Sequence, residues 1–122
     1  MNKCEQQVAE FQLNILGNAF KSAYSDENFE KRTITYLQEE LDELKAAFKA
    51  KNTPEVADAL IDSIYFSLGA LYQLGVDFNG AFSEVHRANM AKKAGVKPER
   101  GLDGDAAKPS NWTAPNIIPY IK

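Results

Sequence analysis

Four stretches of the chain repeat apolar residues at helical spacing. Val8, Phe11, Leu13, Ile15, Leu16, Ala19 and Phe20 predict a first helix over residues 3–21. Lys21 to Asp26 reads as a loop, with Ser25 or Asp26 as the next N-cap. A second helix is predicted from Glu27 to Ala50, with Leu37, Leu41, Leu44 and Phe48 as its core stripe. Thr53 is expected to cap a third helix, with Pro54 in its first position, where no N–H is needed. Gly75 is expected to end it in a left-handed turn. Asp77 then caps a fourth helix, Phe78 to Ala94, with Phe82, Val85 and Met90 facing inward and Gly95 stopping it. Short connections make successive helices antiparallel neighbours. The expected fold is all-α, an antiparallel four-helix bundle-like core over residues 3–94 within a single domain of residues 1–122.

Residues 95–122 change character. Four of the five prolines lie here, with Gly101 and Gly104 among them, yet Trp112, Ile117, Ile118, Tyr120 and Ile121 are too apolar for a free tail. An extended arm lying on its own bundle or on a second subunit reconciles the two features, and Trp112 is expected to bury most of its ring. Asp103-Gly104-Asp105 lacks the later oxygen ligands of a calcium loop and reads as a solvated turn.

Composition narrows the class. At 122 residues the chain suffices for one domain with a real core. The lone Cys4 can form no internal disulfide, and the N-terminus lacks an apolar leader segment, so a cytoplasmic location is expected. No uncharged apolar stretch approaches the ~18 residues of a membrane span. A net charge of −3, with no basic run longer than Lys92-Lys93, argues against a duplex nucleic-acid partner.

The acids are unevenly placed. Glu39, Glu40 and Glu43 lie on the second predicted helix; Glu55, Asp58 and Asp62 lie on the third. At about 100° per residue, Glu40 and Glu43 sit about 60° apart, and the three acids of the third helix fall within a similar arc. Setting these six aside leaves 11 acids against 14 Lys and Arg, so the acidity of the chain is largely one local feature. Val56 to Leu74 is apolar on almost every side and contains no Lys or Arg. Such a helix is buried, and an unpaired carboxylate carried inside costs several kcal/mol, roughly. A hard divalent cation held by oxygen ligands, Mg²⁺ or Mn²⁺, is the simplest partner. Taken singly, Glu39 and Glu43 also fit solvated helix-face acids, Glu40 a surface partner for Lys45 or Lys31, and Glu55 a complement to the helix dipole.

With its acids on two consecutive helices, the chain resembles the all-α NTP pyrophosphatase superfamily, in particular its MazG-like and phosphoribosyl-ATP pyrophosphohydrolase-like members. The resemblance rests on Glu40-Leu-Asp-Glu43 and Glu55-Val-Ala-Asp58, with Glu39 as the doubled acid. It continues from Glu55 through Glu84-Val-His-Arg-Ala-Asn-Met-Ala-Lys92 to Lys108-Pro-Ser-Asn-Trp112-Thr-Ala-Pro-Asn-Ile117.

The resemblance implies cleavage of a nucleoside triphosphate between its α- and β-phosphates, giving a monophosphate and pyrophosphate. Glu40, Glu43, Glu55 and Asp58 would hold one or two Mg²⁺, and Glu39 or Asp62 would act as general base. Asn89 and Lys92, three apart on the fourth helix, resemble the family's phosphate-contacting Asn-x-x-Lys, with Lys93 or Arg87 as substitutes. His86 reads as a surface histidine. A di-iron carboxylate bundle would need two Glu-x-x-His pairs, and the chain has one histidine, preceded at that spacing by Ser83. The competing readings are a phosphoribosyl-ATP-specific enzyme and a non-catalytic helical interaction module. The broad apolar third helix further predicts a homodimer or homotetramer.

Overall fold

The Asn2 side chain accepts the Glu5 N–H, and the Glu5 side chain accepts the Asn2 N–H. This reciprocal cap starts α1, Lys3–Asn14. The structure, a computed structural model, describes residues 2–95 and 105–122. After a 3₁₀ turn at Ala23–Ser25 come α2 (Phe29–Lys49), α3 (Thr53–Leu74) and α4 (Phe78–Met90). Two three-residue strands, β1 (Lys93–Gly95) and β2 (Asp105–Ala107), precede a 3₁₀ turn at Ile118–Tyr120. Four helices and almost no strand make the architecture all-α. The described residues divide into two compact units, Met1–Phe78 with Ile121–Lys122, and Asn79–Tyr120.

In the first unit, α1 is shorter than its apolar period suggests. Gly17 takes a positive φ of 72°, and the Asn18 side chain donates to Gln12 Oε1, so the chain turns away after Asn14. Phe20, beyond the helix, packs edge-on against Tyr72 of α3. The N-cap of α2 is Asn28, later than Ser25 or Asp26. Asp26 Oδ1 accepts the Asn28 N–H, while its carboxylate also pairs with Arg32 and accepts from the buried Gln73 amide. Asp26 is thus spent on tertiary contacts. Between α2 and α3 the backbone N–H of Asn52 donates to Ala47 O, which positions the Asn52 side chain to accept the Glu55 N–H. Asn52, one residue before the expected Thr53, is therefore the cap, and Pro54 is the second helical residue. Gly75 ends α3 as expected, at φ 79°.

The helix faces also differ from the pattern reading. Leu41 and Phe48 of the anticipated stripe are exposed; α2 buries Glu40 and Ala47. Glu40, Leu44 and Ala47 recur at i, i+4 and i+7, and this narrower row meets α3, where Ala59 is buried. Small residues let the two helices approach, which the larger Leu stripe would prevent. Tyr36 packs on Phe66 and Phe11 on Tyr65, which lays α2 and α1 along α3. At Gly69 an added Cβ would meet the Gln12 amide at 2.5 Å, so α1 approaches α3 closely there. Much of α3 is uncovered nonetheless: Ile61 is 61% and Ile64 55% exposed. The chain returns at its end, where Val76 bridges Ile121 and Lys122 N–H donates to Gly75 O.

In the second unit, α4 stops at Met90, before the expected Ala94, and Gly95 lies in β1. Phe82, Val85 and Met90 are exposed; Ala81 and Ala88 are the buried positions. β1 and β2 pair antiparallel, Lys93 opposite Ala107. The arm lies along α4. Trp112 Nε1–H donates to Ala88 O at 2.6 Å, and Arg87, which pairs with Glu84, also reaches the carbonyls of Thr113 and Ala114. The Asp103–Asp105 turn reading falls largely outside the described residues.

Candidate active site

The α2–α3 seam brings acids of both helices together. Glu40 is only 7% exposed, and its Oε2 atom is buried without a hydrogen-bond partner. Burial raises the pKa of Glu40 above the ordinary carboxylate value, and the negative charges of Glu43, Asp62 and Asp58 raise it further. Asp62 is half-buried; burial again pushes its pKa up, with Asp58 and Glu43 adding to it. Glu40, Glu43, Asp58 and Asp62 therefore form one self-repelling group.

The other two acids stand differently. Glu55 is exposed at the first turn of α3 and shares a surface hollow with Glu43, between Ala47 and Asn52. Glu39 is exposed on α2, outside the set of charges acting on Glu40 and Asp62. In the second unit Asn89 is exposed. Lys92 lies past the end of α4, its N–H donating to Asn89 O and its Nζ over the Trp112 ring. The two residues thus do not share a helix face, because the helix ends between them. His86 is on the surface, as expected.

The donor set suits a hard cation: carboxylate oxygens only, one of them buried and orphaned, in mutual repulsion that positive charge would relieve. As the side chains stand, no group of three or more His, Cys, Asp or Glu among the described residues is gathered tightly enough to hold a metal ion.

Two further features leave little trace in the residue pattern. One is the network in which buried Gln73 donates to Ser22 Oγ and Asp26, while Arg32 holds Asp26 and lowers its pKa to about 2. The lone amide in an apolar stretch of α3 is the signal that could have shown it. The other is a cleft walled by Phe11, Tyr36, Tyr65 and Phe66, with Asn18 and Arg32 among its polar members. Tyr36 and Phe66 lie one helical turn from Glu40 and Asp62 respectively.

Helices paired across mutually repelling carboxylates, one of them buried, define the class as an acid-seamed all-α protein. The family model described as phosphoribosyl-ATP pyrophosphohydrolase matches residues 9–89, a span holding all six acids and Asn89. No curated protein matches the chain. The chain belongs to the phosphoribosyl-ATP pyrophosphohydrolase family, a MazG-like all-α NTP pyrophosphatase family. It is accordingly a nucleotide pyrophosphohydrolase, a hydrolase acting on phosphoric anhydrides.

Proposed function

We propose that this protein is a Mg²⁺-dependent nucleoside triphosphate pyrophosphohydrolase, cleaving a (d)NTP between the α- and β-phosphates to give a (d)NMP and pyrophosphate. The observation that carries this reading is the buried Glu40 carboxylate, its Oε2 without a hydrogen-bond partner, among Glu43, Asp58 and Asp62. Glu40, Glu43, Glu55 and Asp58 are the residues proposed to hold the cation, Mg²⁺ or Mn²⁺. Glu43, Glu55 and Asp58 are exposed, so a change of rotamer can close them on an ion around the buried Glu40. When bound, the cation would neutralise phosphate oxygens and acidify water.

The remaining work falls to the chain. Asp62, with its raised pKa and its place one turn beyond Asp58, is better suited than exposed Glu39 to take a proton from the attacking water. Water adds to one phosphorus of the α–β anhydride, the bridging P–O bond breaks, and pyrophosphate departs. The aromatic cleft beside the acids is proposed to receive the planar base; Asn89 and Lys92, in the second unit, are proposed as phosphate contacts on the family resemblance alone. Self-association through the uncovered face of α3 completes the reading. A phosphoribosyl-ATP substrate is favoured equally by the family assignment and offers the same anhydride.

The test is pyrophosphate release from canonical and modified nucleotides and phosphoribosyl-ATP, with Mg²⁺ and with chelator. Asp58→Asn, nearly isosteric, is expected to lower turnover by ~100-fold or more while the fold survives. Melting of the wild type is expected to rise with Mg²⁺ according to its occupancy, and that of the variant to rise less. Normal hydrolysis by the variant, or a wild-type melting curve indifferent to Mg²⁺ and Mn²⁺, would overturn the metal-site reading.

A further inference from the structure

Trp112, the single tryptophan of the chain, carries two cations. Lys108 Nζ lies 4.7 Å and Lys92 Nζ 5.6 Å from the centroid of its ring. The two ammonium nitrogens are therefore within about 10 Å of each other, one Debye length at ordinary ionic strength, and repel without full screening. Among the described residues neither makes an ion pair with a carboxylate. Glu84, the acid of α4, is held by Arg87 and the Asn116 N–H.

The platform itself is fixed. The indole N–H donates to Ala88 O near the end of α4, which anchors that edge of the ring. An ammonium resting on a ring face keeps N–H donors to spare. Two like charges on one rigid aromatic, with donors unspent, call for a polyanion that bridges them. A monoanion would answer only one.

From this geometry we propose that Lys92, Lys108 and Trp112 form a binding site for a di- or triphosphate chain, with Lys108 as a phosphate-contacting residue contributed by the C-terminal arm. The choice of ligand rests on the pyrophosphohydrolase reading, pyrophosphate being the product of that reaction. Trp112 acts as a positioning residue: it sets the spacing of the two cations and does not contact the anion's oxygens itself.

Trp112 also reports on the site. Inorganic pyrophosphate is titrated into the full-length protein in chelator, where the acid cluster has no cation to recruit the anion, with excitation selective for tryptophan. Drawing the ammonium groups off the ring should change the emission saturably, beyond any change produced by sodium chloride of matched ionic strength. Lys108→Met should weaken the apparent affinity on the order of 10-fold, and Lys108→Arg should restore most of it. Lys108 is exposed, so neither substitution endangers the fold. An emission indifferent to pyrophosphate, a response equalled by sodium chloride, or a Lys108→Met protein that binds as the wild type does would each overturn the proposal. Hydrolysis measured on the same samples separates the two readings. Turnover without this response rejects the anion site alone, and the response without turnover rejects the hydrolase reading alone.

Discussion

At the scale of the residue, Glu40 is the most informative position. A carboxylate taken from water and left with an orphaned oxygen costs stability whenever it is ionised. The sign follows from the direction of its shift. With the folded pKa raised above 4.5, the folded state binds the proton more tightly than the unfolded state does. Stability is greatest below that value and is lost as pH rises through the higher folded pKa. Asp62 contributes in the same sense above 3.8. Without metal, thermal stability should therefore decline from mildly acid toward neutral pH. Glu40→Met, which removes the charge and keeps the volume, should stabilise the chelated protein by about 1–3 kcal/mol at pH 7 and flatten that decline. Chemical denaturation across the pH range measures both, and a wild type more stable at pH 7 than at pH 5 would contradict the account. Asp26 works the other way: the Arg32 guanidinium holds its pKa at about 2, so its stabilisation is present above 3.8 and lost as pH falls through about 2.

At the scale of the element, the ends of helices decide more than their periods. Gly75 closes α3 in a left-handed conformation, and a Cβ there would lie 3.0 Å from Lys21 Cγ. Gly75→Ala should therefore cost about 1–2 kcal/mol, read as a lower denaturation midpoint at unchanged slope. The same glycine was legible in the sequence because only its backbone freedom suits that turn. The end of α1 was less legible. Ile15, Leu16 and Phe20 continue the apolar period, and only the Gly17 turn with the Asn18–Gln12 contact shows that the helix has stopped. α4 ends early in a comparable way, and its apolar period misled at Phe82, Val85 and Met90. Alanines, too small to dominate a pattern, are what it buries.

At the scale of the molecule, the chain leaves large apolar residues uncovered. Leu60, Ile61 and Ile64 of α3 are all about half exposed or more, and so are Ile34 and Phe48 of α2. A helix this apolar is ordinarily covered, which supports the proposed self-association. Ile61→Asp should move the protein toward a single chain in sedimentation, with a loss of roughly 1.5–3 kcal/mol for each isoleucine removed from a contact. A wild type that already sediments as a single chain would end that proposal. No helix among the described residues is long and apolar enough to cross a membrane.

The sequence by itself determined the all-α class, the αL end of α3 and the presence of six acids on two consecutive helices. Each follows from local periodicity or from the backbone freedom of one residue type, which neighbours in space do not alter. Tertiary structure decided which of those acids meet. The small row of Ala47 and Ala59 draws the helices together, and that rotates Glu40 into the seam while leaving Leu41 and Phe48 outside. A one-residue change of facing is about 100° on a helix, beyond what a stripe of leucines can specify. Lys92 came to the ring of Trp112 for the same kind of reason. Nothing local links that ring to Lys92; the Trp112–Ala88 hydrogen bond brings the arm onto α4 and places the two lysines on one ring.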